Sequence, residues 1–366
     1  MFRSVQSWIG TACVLLVVSI GGSVVAVGGP SVVETLIDRP GISEYCDTAA
    51  IDFADATESI ELVLSTAEID ENPLWEQLLN AHARGVRVRV ILDESDWAPS
   101  ITQRNRPFLE GLARNGIEAR TDDPAVTTHA KLAIVDRSVV IVGSTNWNRY
   151  AFTDQEQANV RIVDDRVGAA FGAWFDHLWA GGQAIVPQVD IDETWARKGP
   201  RIVPLPDSGG AGSYAAFVLA TLSRAHASVH VVLYRMSIYP DYSGSASNRL
   251  IDGLIRAAAR GLDVRVLLDD CSFYPESADA NLMSALYLFE HGVPVRFDRP
   301  EETTHAKLLV VDGEHVVLGS TNWNYYALEQ NVEANVALLG MPEVADVFDG
   351  FFDRLWESGR AIGRDR

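Results

Sequence analysis

Lysine is almost missing from this chain: of 30 basic residues, only three are lysines. Acidic residues number 50 and the formal charge is −20. That balance suits a salt-adapted surface, and no run of Lys or Arg offers the basic face with which proteins hold duplex DNA through many phosphates. High salt would screen both effects over a few ångströms. Cysteine is also scarce, at three residues. Cys13 lies in an apolar N-terminal run, which leaves Cys46 and Cys271 as the one pair able to form a disulfide in an exported protein. Neither has the general base that a thiol nucleophile needs. The glycine-rich stretch Ser208-Gly209-Gly210-Ala211-Gly212 lacks a Gly-Lys-Ser ending, which excludes a phosphate loop.

What is present is a sentence said twice. Residues 127–148 and 303–324 agree at 15 of 22 positions, 176 residues apart. The polar set is kept while the apolar residues between vary. Two of the three lysines, Lys131 and Lys307, fall inside it. In a chain that otherwise takes Arg for positive charge, this points to a compact ammonium at both places. The pattern His-x-Lys-x4-Asp-x6-Gly-Ser-x-Asn, spelled by His129, Lys131, Asp136, Gly143, Ser144, Asn146 and again by His305, Lys307, Asp312, Gly319, Ser320, Asn322, resembles the signature of the phospholipase D superfamily.

The duplication reaches beyond the motif. Residues 83–93 align with 259–269 at the same offset, each a helix end with a glycine stop followed by a strand. Residues 59–64 and 228–233 read as a preceding strand, with seven more residues before the next helix in the second copy, around Pro240 to Gly244. Strand, helix, strand, helix, strand predicts an α/β fold. The motif itself reads as two apolar strands joined by a turn at Asp136 or Asp312, which puts each His and Lys on one face. The resemblance implies two tandem, pseudo-twofold-related phospholipase D-like domains, each a mixed β-sheet flanked by helices. The expected limits are 1–29 for a signal peptide or membrane anchor, 40–180 for the first domain, 181–212 for a Gly/Pro/Asp-rich linker and 213–366 for the second. Residues 9–29 carry no charge and follow Arg3, which places the mature domain outside the cytoplasm, secreted or anchored to the membrane.

A phosphodiester repels nucleophiles, so its cleavage needs charge neutralisation, a nucleophile and a proton for the leaving alkoxide. Two His and two Lys meet that need with no metal and no cofactor. The resemblance implies that both motifs meet at one site, that His129 attacks phosphorus to give a phosphohistidine, and that His305 is the acid and base. Lys131, Lys307, Asn146 and Asn322 would hold the non-bridging oxygens, with Ser144 and Ser320 as hydroxyl donors. Asp136 and Asp312, at the turns, are read as structural. Family members carry an acidic residue downstream of the motif that orients the histidine. Glu333 fits in the second repeat, whereas the first has Gln157 with Glu156 beside it. Trp147 and Trp323 are expected beneath the hairpins or lining a pocket. Trp97, Phe273 and Tyr274 are expected on the cleft rim.

The expected activity is hydrolysis or transfer of phospholipid head groups by a membrane-associated monomer with an internal pseudo-dimer. The alternative is an exported, metal-independent nuclease with nucleic acid as substrate. A silent binding module would be expected to have lost a His or Lys, and neither copy has.

Overall fold

The β-branched runs of the two repeats become the centres of two sheets in the computed structural model, which describes residues 24–26, 31–96, 98–181, 186 and 189–362. The first half runs β1 Val24–Ala26, β2 Val32–Asp38, α1 Glu44–Asp55, β3 Ser59–Leu64, α2 Trp75–Ala83, β4 Arg87–Leu92, α3 Pro99–Arg114, β5 Glu118–Thr121, β6 Lys131–Val135, β7 Val139–Gly143, α4 Arg149–Thr153, β8 Gln155–Val163 and α5 Asp165–Trp179. After α6 Ile191–Ala196, the second runs β9 Arg201–Asp207, α7 Ser213–Arg224, β10 Ser228–Leu233, α8 Ala246–Ala259, β11 Asp263–Leu268, α9 Pro275–Glu290, β12 Val295–Phe297, β13 Thr303–Thr304, β14 Lys307–Val311, β15 His315–Gly319, α10 Tyr325–Glu329, β16 Glu333–Leu339, α11 Pro342–Ser358 and β17 Arg360–Ala361.

Strand order is β1-β2-β8-β7-β6-β3-β4-β5 in one sheet and β17-β12-β11-β10-β14-β15-β16-β9 in the other. Both are mixed, as the duplication predicts: β3, β4 and β5 pair in parallel, as do β10, β11 and β12, while the motif hairpins β6–β7 and β14–β15 are antiparallel. One face of each sheet is covered by its own helices. The other faces share a single core, in which Phe171, Trp174 and Phe175 of α5 meet Phe348, Phe351 and Phe352 of α11. Helix α5 also packs on β9, and α11 on β2, so each half lends a helix to the other sheet.

Three expectations need correction. The stretch 181–212 is not a bare linker, because it contains α6 and β9, and β9 pairs antiparallel with β16 at the sheet edge. Pro204 and Pro206 made it read as a linker; an edge strand tolerates proline because half its N–H groups face no partner. The first sheet begins before residue 40, with β1 and β2. Val24 to Ala26, expected within an anchor over 1–29, pair with β2, while residues 1–23 lie outside the described residues. No helix among the described residues is long and apolar enough to cross a membrane. The pairing of Cys46 and Cys271, which the sequence leaves open, is not made: both are free and buried in separate halves.

Candidate active site

The spacing of the motif acts first through its turn. Asp136 and Arg137 take left-handed φ values of 49° and 50°, as do Asp312 and Gly313 at 57° and 63°, the geometry of a tight hairpin turn. The Asp136 carboxylate accepts the backbone N–H groups of Thr57, Glu58 and Ser59 at 2.8–2.9 Å. Asp312 does the same for His226, Ala227 and Ser228. These bonds hold both carboxyls below the usual range and tie the hairpin to the start of the neighbouring strand. Both aspartates therefore serve the fold, away from the His/Lys face.

The glycine of Gly-Ser makes room. A Cβ on Gly143 would strike Asn159 and the Ala158 carbonyl, and one on Gly319 would strike Asn335 and the Ala334 carbonyl. Asn159 Oδ1 can then accept the Ser144 and Thr145 N–H groups at 3.0 and 3.2 Å. The last residue of each repeated stretch, Asn148 or Asn324, caps α4 or α10. Trp147 and Trp323 pack in the outer cores, their indole N–H groups donating to Tyr45 Oη and Tyr214 Oη. Both are fully buried.

Each histidine is set by the opposite half. His129 N–H donates to Val332 O at 2.8 Å and Val332 N–H to Thr127 O at 2.9 Å; across the pseudo-dyad, β13 pairs with β8 and His305 N–H donates to Glu156 O at 2.9 Å. Residue 333 thereby comes beside His129. Glu333 Oε1 and Oε2 both lie 3.1 Å from His129 Nδ1, while His305 Nδ1 faces Ser144 O at 3.0 Å and Gln157 Oε1 at 3.2 Å. The pairing is thus crossed: Glu333 serves the histidine of the other repeat, not His305 as its position 28 residues downstream had implied. Glu156 is turned away, held by Arg354 of α11.

The serines also depart from expectation. Ser144 Oγ donates to Gln157 Oε1 at 2.7 Å, and Ser320 Oγ donates to Glu333 Oε2. Each then accepts a backbone N–H, from Ala158 or Ala334, at 3.0 Å. Both hydroxyls are buried and engaged, so they orient Gln157 and Glu333 instead of facing a substrate. Asn146 and Asn322 differ: their buried Oδ1 atoms have no hydrogen-bond partner among the described residues.

Lys131 and Lys307 are buried, each ammonium donating to the carbonyl of its own histidine, at positions 129 and 305. Burial pushes Lys131 down to about 7, opposed by Glu333 and Asp93. Lys307 is held well below the usual lysine value by burial and then by Lys131. His305 is lowered strongly by burial and by Lys307 and Lys131; His129 is lowered by burial, against the pull of Glu333. The cations act on one another, Lys131 lowering Lys307 and both lysines lowering each histidine.

A titration follows. Because the lysine pKa values are depressed in the empty site and a phosphodiester anion favours the charged form, binding draws in protons. Affinity for dimethyl phosphate is expected to be full below about pH 7, and to fall as pH rises above it. Calorimetry at pH 8 in two buffers of different ionisation heat should show net proton uptake; none would contradict this electrostatic picture.

Four further residues escaped the motif. Asp93 and Asp122 sit beside the first motif, Asp269 and Asp298 beside the second. Thr128 N–H donates to Asp93 Oδ1 at 2.6 Å and Thr304 N–H to Asp269 Oδ2 at 2.6 Å, fixing the residue before each histidine. Burial raises Asp93 to about 7 and Asp298 to about 8. Asn105 and Asn281 lock the same loops by donating to the carbonyls of residues 93 and 269. All keep the offset of 176, which was the available signal. Tyr234 adds a ring 4.9 Å from His305 and 5.1 Å from Lys307 Nζ. Trp97 lies outside the described residues.

Next to Thr128 and Val332 opens a cleft of about 890 Å³ with a mixed lining, apolar at Ile91, Val126 and Trp179 and charged at Arg120, Asp122 and Asp123. The family described as "Cardiolipin synthase, PLD-like domain" matches residues 51–179 and 218–356. Among curated relatives, a mitochondrial cardiolipin hydrolase of Xenopus tropicalis is 38% identical over 125 residues, 34% of this chain and 56% of that protein. A cardiolipin synthase of Listeria monocytogenes is 25% identical over 352 residues, 86% of this chain and 67% of that protein. The chain spans little more than half the length of the hydrolases it matches. Among solved structures, a phosphatidylserine synthase of Haemophilus influenzae superposes with a TM-score of 0.70 at 12% identity, over 89% of this chain and 87% of that one, a likeness of fold.

Proposed function

We propose, for a chain that belongs to the phospholipase D-like domain family, that it cleaves or transfers phospholipid head groups through a phosphohistidine on His129. The observation that carries this reading is the crossed pairing of His129 with Glu333 and of His305 with Gln157, two unequal histidines over one lysine pair. With Nδ1–H held by the Glu333 carboxylate, His129 Nε2 is left with its lone pair. It attacks phosphorus, and the cationic ring that results is stabilised by that carboxylate. His305 donates through Nδ1 to two neutral oxygens, so its Nε2 is the nitrogen free to exchange a proton. The substrate phosphate, held by Lys131, Lys307, Asn146 and Asn322, supplies the negative charge that lets His305 hold one. As the P–O bond breaks, His305 protonates the leaving alkoxide. It then takes a proton from water or an acceptor alcohol, which attacks phosphorus and frees His129.

The acidic charge of −20 supports a lipid over a polynucleotide, whose many phosphates call for a basic face. The uncharged run over 9–29 supports placing the protein at a membrane, outside the cytoplasm. The purified chain is to be incubated with phosphatidylglycerol vesicles, bis(p-nitrophenyl) phosphate and plasmid DNA, each with excess EDTA. Release or transfer of the head group, turnover of the chromogenic diester and intact plasmid are expected, all unaffected by chelation because Lys131, Lys307 and the protonated His305 neutralise the phosphate. Plasmid nicking without lipid turnover would establish the nuclease instead, and loss of activity in EDTA restored by Mg²⁺ would overturn the mechanism.

A further inference from the structure

Among the described residues, one segment shows water a cluster of large apolar side chains. Phe273 and Tyr274, in the loop after β11, are 67% and 58% exposed, and Leu282, Met283 and Leu286 on the outer face of α9 are between 37% and 51% exposed. The internal repeat supplies the comparison. Leu282 and Leu286 occupy the positions that Arg106 and Glu110 hold on α3, at the offset of 176. The same fold position is therefore served by charged residues in one half and by leucines in the other. The fold does not require apolar groups there.

The patch adjoins the site. Tyr274 N–H donates to Cys271 O at 2.8 Å, and Cys271 N–H to Asp269 Oδ1 at 2.7 Å. The Cys271 thiol faces Tyr234 O at 3.5 Å, and the Tyr234 ring lies on His305. The apolar side chains fall in two groups, Phe273 with Tyr274 and Leu282 with Met283 and Leu286, with the exposed Glu276 and Asp279 between them on the helix face; together they present roughly 500 Å², short of the ~800 Å² per partner of a stable protein interface. The border of the two groups is acidic, with Glu276, Asp279 and Glu290 all exposed. A twofold contact with a second copy would set that border against itself in chains of charge −20. A zwitterionic bilayer presents ammonium groups outermost, which suit both the acidic border and the aromatic faces of Phe273 and Tyr274, with an apolar interior for the leucines.

We propose that the loop 271–274 and the outer face of α9 form the surface by which the protein sits on a zwitterionic phospholipid bilayer, next to the His305 side of the site. Its purpose rests on the phospholipid reading above, but its test does not need turnover. Full-length Leu282→Cys and, as the pseudo-symmetric control, Arg106→Cys are to be labelled with an environment-sensitive fluorophore. The labelled parent sets the background from Cys13, since Cys46 and Cys271 are buried. On phosphatidylcholine vesicles the label at 282 should shift to the blue and be quenched by brominated acyl chains, while that at 106 should not. Equal response at both positions, or none at 282, would overturn the proposal. So would a blue shift at 282 that grows with protein concentration in the absence of vesicles, which would assign the face to a second copy. In parallel, Leu282→Arg with Leu286→Glu should lower turnover of vesicle phosphatidylcholine by about tenfold or more and leave bis(p-nitrophenyl) phosphate turnover unchanged. An equal loss on both substrates would count against the surface. Absence of lipid turnover in the parent would count against the phospholipid reading alone, and the fluorophore result would still decide the surface.

Discussion

His129→Ala is expected to abolish the covalent adduct, an acid-labile and base-stable phosphoramidate, and to lower turnover by about 10⁴-fold or more, the scale on which loss of a nucleophile acts in other covalent enzymes. His305→Ala should block ordinary esters just as severely. With p-nitrophenyl esters, however, it should still permit one slow round of attack, because that leaving group departs without a proton. The asymmetry follows from the partners: a carboxylate at 3.1 Å stabilises the cationic ring on His129, whereas His305 meets only the Ser144 carbonyl and the Gln157 amide. Trapping by rapid denaturation at alkaline pH, where a phosphoramidate survives, and peptide mapping of each variant check this. Label on His305 in the His129→Ala protein would reverse the roles, and no label on any protein would refute the covalent route.

Exchanging the two partners should have the second-largest effect. Glu333→Gln leaves an amide against His129 Nδ1, which removes the charge that opposes the downward push of burial and lets the ring adopt the wrong tautomer. A loss of about 10²- to 10⁴-fold in kcat is expected, comparable to amide replacement in other His–carboxylate pairs. The Ser320 hydroxyl would need to find a new acceptor, so Glu333→Asp is the companion variant, expected to restore part of the rate. In the double variant Glu333→Gln with Gln157→Glu the carboxylate moves to the His305 side, and the trapped label should move with it. Label staying on His129 there would show that the carboxylate does not choose the nucleophile. Thermal unfolding of each variant separates these effects from loss of fold.

Much of this was written in the chain. The repeat is local information: Lys131 and Lys307 open strands β6 and β14, and the turn at Asp136 or Asp312 is signalled by its own sequence, whereas His129 and His305 lie just before those strands and are placed by backbone bonds to the other half. The α/β order of each half and the family were equally legible. The repeat could also have exposed Asp122 and Asp298, or Asn105 and Asn281, since these keep the same offset, but no motif pointed to them.

What the chain could not state is which copy serves which. A repeat says that Glu333 and Gln157 are equivalent, not that each crosses the dyad, because that depends on the backbone bonds of Val332 with Thr127 and His129, more than 180 residues away in the chain. The serines were misread for the same reason: a hydroxyl is free or engaged according to its neighbours, and Gln157 and Glu333 become neighbours of Ser144 and Ser320 only when the motif hairpin pairs with β8 or β16. Strand β9, with two prolines, is made a strand by the edge of β16 alone. Sequence determined which residues are candidates for the chemistry, since their types and spacings are covalent facts. Tertiary structure decided their partners, because hydrogen bonds and burial between the halves exist only once both sheets close on their common core.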